Sequence, residues 1–132
     1  MGVSYLVDTH VFLWLLGEPH RVPAEMLREL GNTKNRLLVS AVSAMEVATK
    51  VRLGKLEPAR HLVDTWSTRI HDIGGEDLAI TATHALMAGS MAWPHRDPFD
   101  RILVAQALTE NLTLVSTDGA MQGLEGLTLS RW

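Results

Sequence analysis

The sequence predicts an α/β fold: one three-layer domain whose central, mainly parallel sheet of four to five strands is covered by helices on both faces. Three observations carry this reading. Short aliphatic runs recur along the chain, each ends in a small polar or acidic residue, and each is followed by a helical pattern. Runs that are continuously apolar, not alternating, suit strands buried on both faces, as in a parallel sheet under helices. The Asp, Ser and Thr residues at the junctions are the N-caps that strand-to-helix turns require.

Taken in order, SYLVD (4–8) is the first strand and runs straight into the helical THVFLWLL (9–16). A helix is expected over 23–31, where Pro23 suits a first-turn position. RLLVS (36–40) leads into AVSAMEVATKVRL (41–53), and a further helix is expected over 59–71, after Pro58. DLAIT (77–81) precedes the helix ATHALMAG (82–89). In HRDPFDRILVAQA (95–107), Asp97 reads as an N-cap and Pro98 as the first helical residue. LTLVS (112–116) precedes TDGAM (117–121), and LTLSR (127–131) is the last strand. No segment repeats, none is of low complexity and no linker is visible, so residues 1–132 are expected to form a single domain.

Composition removes several function classes. With 132 residues, 46% of them hydrophobic, the chain can bury a sizeable core. It has no cysteine, which excludes disulfides, thiolate zinc sites and thiol catalysis together. The first ten residues lack a basic leader and VFLWLL is too short to span a bilayer, so a cytoplasmic protein with no membrane role is expected. A net charge of −3 argues against coating nucleic acid through bulk charge; such a role needs local basic patches or bound cations. Six histidines occur, no two at the i, i+4 spacing of a helical metal pair, and none is given a ligand role.

In open parallel sheets, ligands bind outside the carboxyl ends of the strands near the switch point of strand order. Asp8 closes the first strand and Asp118 lies just past the fourth, although either alone would read as a cap or turn residue. Glu46 shares a narrow polar strip with Ser43 and Lys50 on an otherwise apolar helix; the strip faces solvent, as a simple Glu46–Lys50 pair, or a cleft. Asp100 falls on the face of Leu103, Val104 and Ala107 and so points inward. An unpaired carboxylate there needs a proton, an arginine such as Arg96 or Arg101, or a metal ion. Asp8, Glu46, Asp100 and Asp118, with Asp97 as a fifth member, thus form one acidic set. Grouped carboxylates repel unless cations intervene, and all-oxygen donors suit Mg²⁺ or Mn²⁺ over zinc. Such a set can generate a hydroxide nucleophile and stabilise the leaving oxygen of a phosphodiester.

The stretches YLVDTHVFLWLL, SAMEVATKVRLGKL, HRDPFDRILVAQAL and LTLVSTDGAM resemble the PIN domain, and specifically the VapC toxins of bacterial type II toxin–antitoxin modules. The resemblance covers essentially the whole chain, with the motifs in the right order. It implies a Mg²⁺- or Mn²⁺-dependent endoribonuclease that hydrolyses RNA by metal-activated water, a homodimer, and a VapB-type antitoxin partner. The matching catalytic and metal-binding residues are Asp8, Glu46, Asp100 and Asp118. Asp97 matches a position acidic in only some members. Ser116 matches a small hydroxyl position that commonly supports the metal site, and Thr9 is a second candidate for that support.

Substrate contacts are less legible. Lys50, Arg52, Lys55, Arg60 and Arg69 make residues 50–69 locally basic, which suits an RNA path and equally a solvated surface. Trp14 and Trp93 can stack on unpaired bases or serve as core. Residues 11–16 are apolar on every side, so this helix is either sandwiched or offers a groove to a partner helix. The alternatives are a non-catalytic PIN-like binding module and a haloacid-dehalogenase-type phosphatase. The latter wants a second aspartate two residues after the first, where this chain has His10. A receiver-like domain would need an acidic pair at the first strand end, which is not visible.

Overall fold

Among the described residues, five strands form one parallel sheet: β1 (Ser4–Val7), β2 (Arg36–Ser40), β3 (Gly75–Leu78), β4 (Thr113–Val115) and β5 (Thr128–Ser130), in the order β3-β2-β1-β4-β5. The computed structural model describes residues 2–132. From β1 the chain builds outward to β2 and β3 on one side, then returns to add β4 and β5 on the other. The switch point therefore lies at β1, with Asp8 at its carboxyl end.

Helices cover both faces: α1 (Thr9–Gly17), α2 (Ala24–Gly31), α3 (Ala41–Arg52), α4 (Arg60–Asp64), α5 (Trp66–Asp72), α6 (Ala82–Ser90) and α7 (Pro98–Glu110). Alternate strand residues feed two cores, because successive side chains point to opposite faces. Tyr5, Val7, Leu37, Val39 and Val115 pack with Val11 and Phe12 of α1, Val47 of α3 and Ile70 of α5. Leu6, Leu38 and Leu114 pack on the other side with Val42 and with Leu103, Val104 and Ala107 of α7.

The expected junction caps form. Asp8 accepts from the Val11 N–H, Ser40 from Val42, Thr81 from His84 and Asp97 from Phe99. Ser116 caps no helix; it serves the site instead.

Three expected elements are corrected. The third strand is Gly75–Leu78, not 77–81, because among the described residues its only neighbour is β2. The pairing Ser40↔Leu78 is the last that β2 offers, and at Ala41 that chain turns into α3. The strand can start early because Gly74 takes a positive φ of 72° and Gly75 has no side chain; a Cβ there would lie 2.9 Å from Ile70. The helix expected over 59–71 is split into α4 and α5 at Thr65, whose hydroxyl donates to the His61 carbonyl at 2.8 Å and competes with the helical ladder. TDGAM forms only a single 3₁₀ turn over Gly119–Met121, capped by Asp118.

Candidate active site

The acidic residues are brought together at the carboxyl edge of the sheet by the ends of β1 and β4, the start of α7 and the middle of α3. Asp8 leaves β1 as the cap of α1, so its backbone is fixed twice: its N–H donates to the Val115 carbonyl at 3.0 Å and its Oδ1 accepts from the Val11 N–H at 2.8 Å. Its other oxygen, Oδ2, accepts from the Ser116 hydroxyl at 2.6 Å. The Ser116 oxygen in turn accepts from the Asp118 N–H at 3.0 Å. One buried hydroxyl therefore ties the ends of β1 and β4 together and sets Asp118 beside Asp8.

Glu46 enters from α3 and is buried. The Thr9 hydroxyl donates to its Oε1 at 2.6 Å and lies 2.9 Å from the Ser43 hydroxyl, while the Lys50 ammonium donates to its Oε2 at 2.8 Å. Both readings of the polar strip hold at once: Glu46 and Lys50 are an i, i+4 pair, and the pair faces a cleft. Asp8, Glu46, Asp97, Asp100 and Asp118 all line one cavity of about 170 Å³, with Lys50 and His10 on its wall.

Asp100 has a different partner from those expected. The His95 Nε2 lies 2.7 Å from its Oδ2. Arg96 makes no ion pair among the described residues, and Arg101 donates to the carbonyls of Ala88, Met91, Trp93 and His95. His95, given no ligand role from the sequence, thus stands directly against Asp100. A search for helical i, i+4 pairs misses it because a loop carries it to Asp100. Its signal lay in HRDPFD, where His95 stands two and five residues before the two aspartates. The donor atoms of His95, Asp97 and Asp100 fall within 4.8 Å of one another, the one such set among the described residues. Asp8, Glu46 and Asp118 face the same cavity but are turned to their own hydrogen-bond donors.

The electrostatics follow from this crowding. Burial raises the Asp8 pKa above its ordinary value, with the Ser116 and Val11 bonds opposing and the Glu46 charge adding to the rise. Burial also raises Asp100; the His95 bond opposes it, and the charges of Asp97 and Asp118 push it further up. Five carboxylates share the cavity with a single lysine, so its negative charge is under-compensated. Hard carboxylate oxygens in charge excess match a divalent cation such as Mg²⁺ or Mn²⁺.

The remaining sequence candidates lie around this centre. Lys50, Arg60 and Arg69 pair with Glu46, Glu57 and Asp72, so the basic stretch is largely matched. Trp93 stacks on His95, with ring centroids 4.7 Å apart. Val11 and Phe12 are fully buried, whereas Leu13, Trp14 and Leu16 line a groove of about 440 Å³ closed by Leu56 and Leu62 across from α1. His10 lines both the groove and the acidic cavity.

Comparison with known proteins gives one family and one fold. The family model described as "PIN domain" matches residues 5–126. No curated protein matches the sequence. Among solved structures, VapBC2 from Rickettsia felis bound to a promoter DNA fragment is similar at a TM-score of 0.73 and 18% identity, covering 98% of this chain and 99% of that one. VapBC-1 from nontypeable Haemophilus influenzae is similar at 0.71 and 19%, with 98% of each chain covered. FitAcB from Neisseria gonorrhoeae is similar at 0.64 and 18%, with 95% of each covered.

Proposed function

This chain belongs to the PIN domain family, and we propose that it is the toxin of a VapBC-type module, a Mg²⁺- or Mn²⁺-dependent endoribonuclease working as a single domain in the cytoplasm. The observation that carries the proposal is the convergence of Asp8, Glu46, Asp97, Asp100 and Asp118 on one small cavity at the carboxyl edge of the sheet. The similarity in fold to VapBC proteins supports the toxin reading. No helix among the described residues is long and apolar enough to cross a membrane.

Asp8, Glu46, Asp100 and Asp118 are the residues that would hold the ion, with Asp97 at the rim. When bound, a divalent cation lowers the pKa of water and offsets charge on the phosphate. The chain supplies the rest. Ser116 holds the Asp8 carboxylate and Thr9 that of Glu46, so both keep their orientation as RNA enters. Lys50 is the cavity's own cation, placed to meet phosphate oxygens. Hydrolysis forms one bond from water oxygen to phosphorus and breaks one to the departing sugar oxygen, which takes up a proton.

A cytoplasmic ribonuclease needs restraint, and the groove beside α1 suits a VapB-type antitoxin helix. Because His10 borders both spaces, a helix in the groove can send one arginine or lysine into the carboxylates, where charge-assisted bonds are strong. A homodimer is part of the same reading, and Leu86 on α6 and Met45 on α3 are apolar side chains left 73% and 61% exposed.

The test is cleavage of bulk RNA by purified protein, with and without chelator, beside a phosphatase substrate. Cleavage that needs Mg²⁺ or Mn²⁺ and is lost in Asp8→Asn supports the reading. Turnover of the phosphatase substrate alone, or no turnover of either, overturns it in favour of a phosphatase or a binding module.

A further inference from the structure

We propose that Arg101 and His95 form a positioning relay for Asp100: Arg101 pins the segment between α6 and α7, and that segment delivers His95 to the back of the Asp100 carboxylate. The inference rests on the reading of Asp100 as a metal ligand.

Arg101 follows Asp100 directly and sits beside an acidic cavity, yet among the described residues it forms no ion pair. Its guanidinium donates instead to four main-chain carbonyls. Nε reaches Ala88 at 2.7 Å, Nη1 reaches Trp93 at 2.6 Å and His95 at 2.9 Å, and Nη2 reaches Met91 at 2.8 Å. Residues 91–97 belong to no helix or strand, so their carbonyls need partners from elsewhere. A planar fork with fixed N–H directions can serve four acceptors at once; a lysine ammonium cannot keep that pattern. The guanidinium also lies 6.0 Å from the centroid of the Trp93 ring, and that ring stacks on His95.

The chain of contacts ends at the site. His95 Nε2 is 2.7 Å from Asp100 Oδ2, and Asp100 lines the cavity whereas His95 does not. The imidazole thus holds Oδ2 of the carboxylate from a residue outside the cavity lining, and among the described residues Oδ1 has no hydrogen-bond partner. Partners of this kind orient metal-ligating groups, and their loss typically costs about 10–100-fold in metal affinity or activity.

The experiment measures Mn²⁺ binding to the intact protein by electron paramagnetic resonance, together with ¹⁵N imidazole spectra and melting curves. The variants are His95→Ala, His95→Gln and Arg101→Lys. His95→Ala is expected to bind Mn²⁺ about 10–100-fold more weakly. His95→Gln, which keeps an N–H donor at similar reach, is expected to recover most of that loss. Arg101→Lys is expected to weaken binding as His95→Ala does and to change the His95 imidazole signals. A merely structural clamp lowers the melting temperature without changing Mn²⁺ affinity, so parent-like affinity in His95→Ala or Arg101→Lys overturns the relay. If Arg101→Lys fails to fold, the contrast between His95→Ala and His95→Gln decides. If the parent binds no Mn²⁺, the metal reading itself falls, and unchanged His95 signals in Arg101→Lys then overturn the relay separately.

Discussion

Replacing Ser116 by alanine removes one oxygen atom, and the structure assigns that atom two bonds. The hydroxyl donates to the buried Asp8 carboxylate at 2.6 Å and its oxygen accepts from the Asp118 N–H at 3.0 Å. A hydrogen bond to a charged group contributes about 1.5–3 kcal/mol. The Asp118 N–H is only partly buried, so water replaces that partner at small cost. With an unfolding entropy of about 2.1 cal/mol/K per residue, each kcal/mol lost from a chain of this size lowers Tm by roughly 3–4 °C. The expected drop is therefore roughly 5–11 °C, measured by calorimetry in chelator at neutral pH. The pH dependence identifies its origin. A carboxyl whose folded pKa is raised binds more protons in the folded state, so stability falls as pH rises from its ordinary 3.8 toward the folded value. The Ser116 bond opposes that rise, so its removal extends the fall to higher pH. The gap between parent and Ser116→Ala should narrow as Asp8 becomes protonated in acid. A variant that melts with the parent at neutral pH, or a gap that stays constant through the acid range, would refute this account of Asp8.

Asp8→Asn removes the buried charge while keeping the Val11 cap acceptor; RNA cleavage should fall by orders of magnitude, while Tm in chelator should rise. Parent-like cleavage by a folded Asp8→Asn protein would refute the assignment. Asp97→Asn is expected to be milder, because Asn caps nearly as well as Asp and a lost cap costs only about 0.5–2 kcal/mol; an activity loss equal to that of Asp8→Asn would make Asp97 a full member of the site. Trp14→Ala, in the wall of the groove, should weaken capture of the co-expressed antitoxin at least tenfold. Undiminished capture by the folded variant would rule out this groove.

The local rules of the chain determined most of the architecture. Continuous apolar runs ending in Asp8, Ser40 and Thr81 were enough to place strands β1 and β2 and the starts of α1, α3 and α6, because capping and burial on both faces act over a few residues. The same rules separated Asp97, which caps α7, from Asp100, which turns toward the cavity. What they could not supply is whatever depends on a distant partner. The end of β3 is set by where β2 stops. The link from Ser116 to Asp8 spans 108 positions, and the switch-point order of the sheet alone brings those strand ends side by side. His95 reaches Asp100 across only five positions, yet it does so from an irregular loop whose path is dictated by Arg101, not by any repeating pattern. Side-chain periodicity encodes which face a residue occupies within one element. Which residues of different elements meet is decided by strand order and by the few polar groups that hold the loops between them.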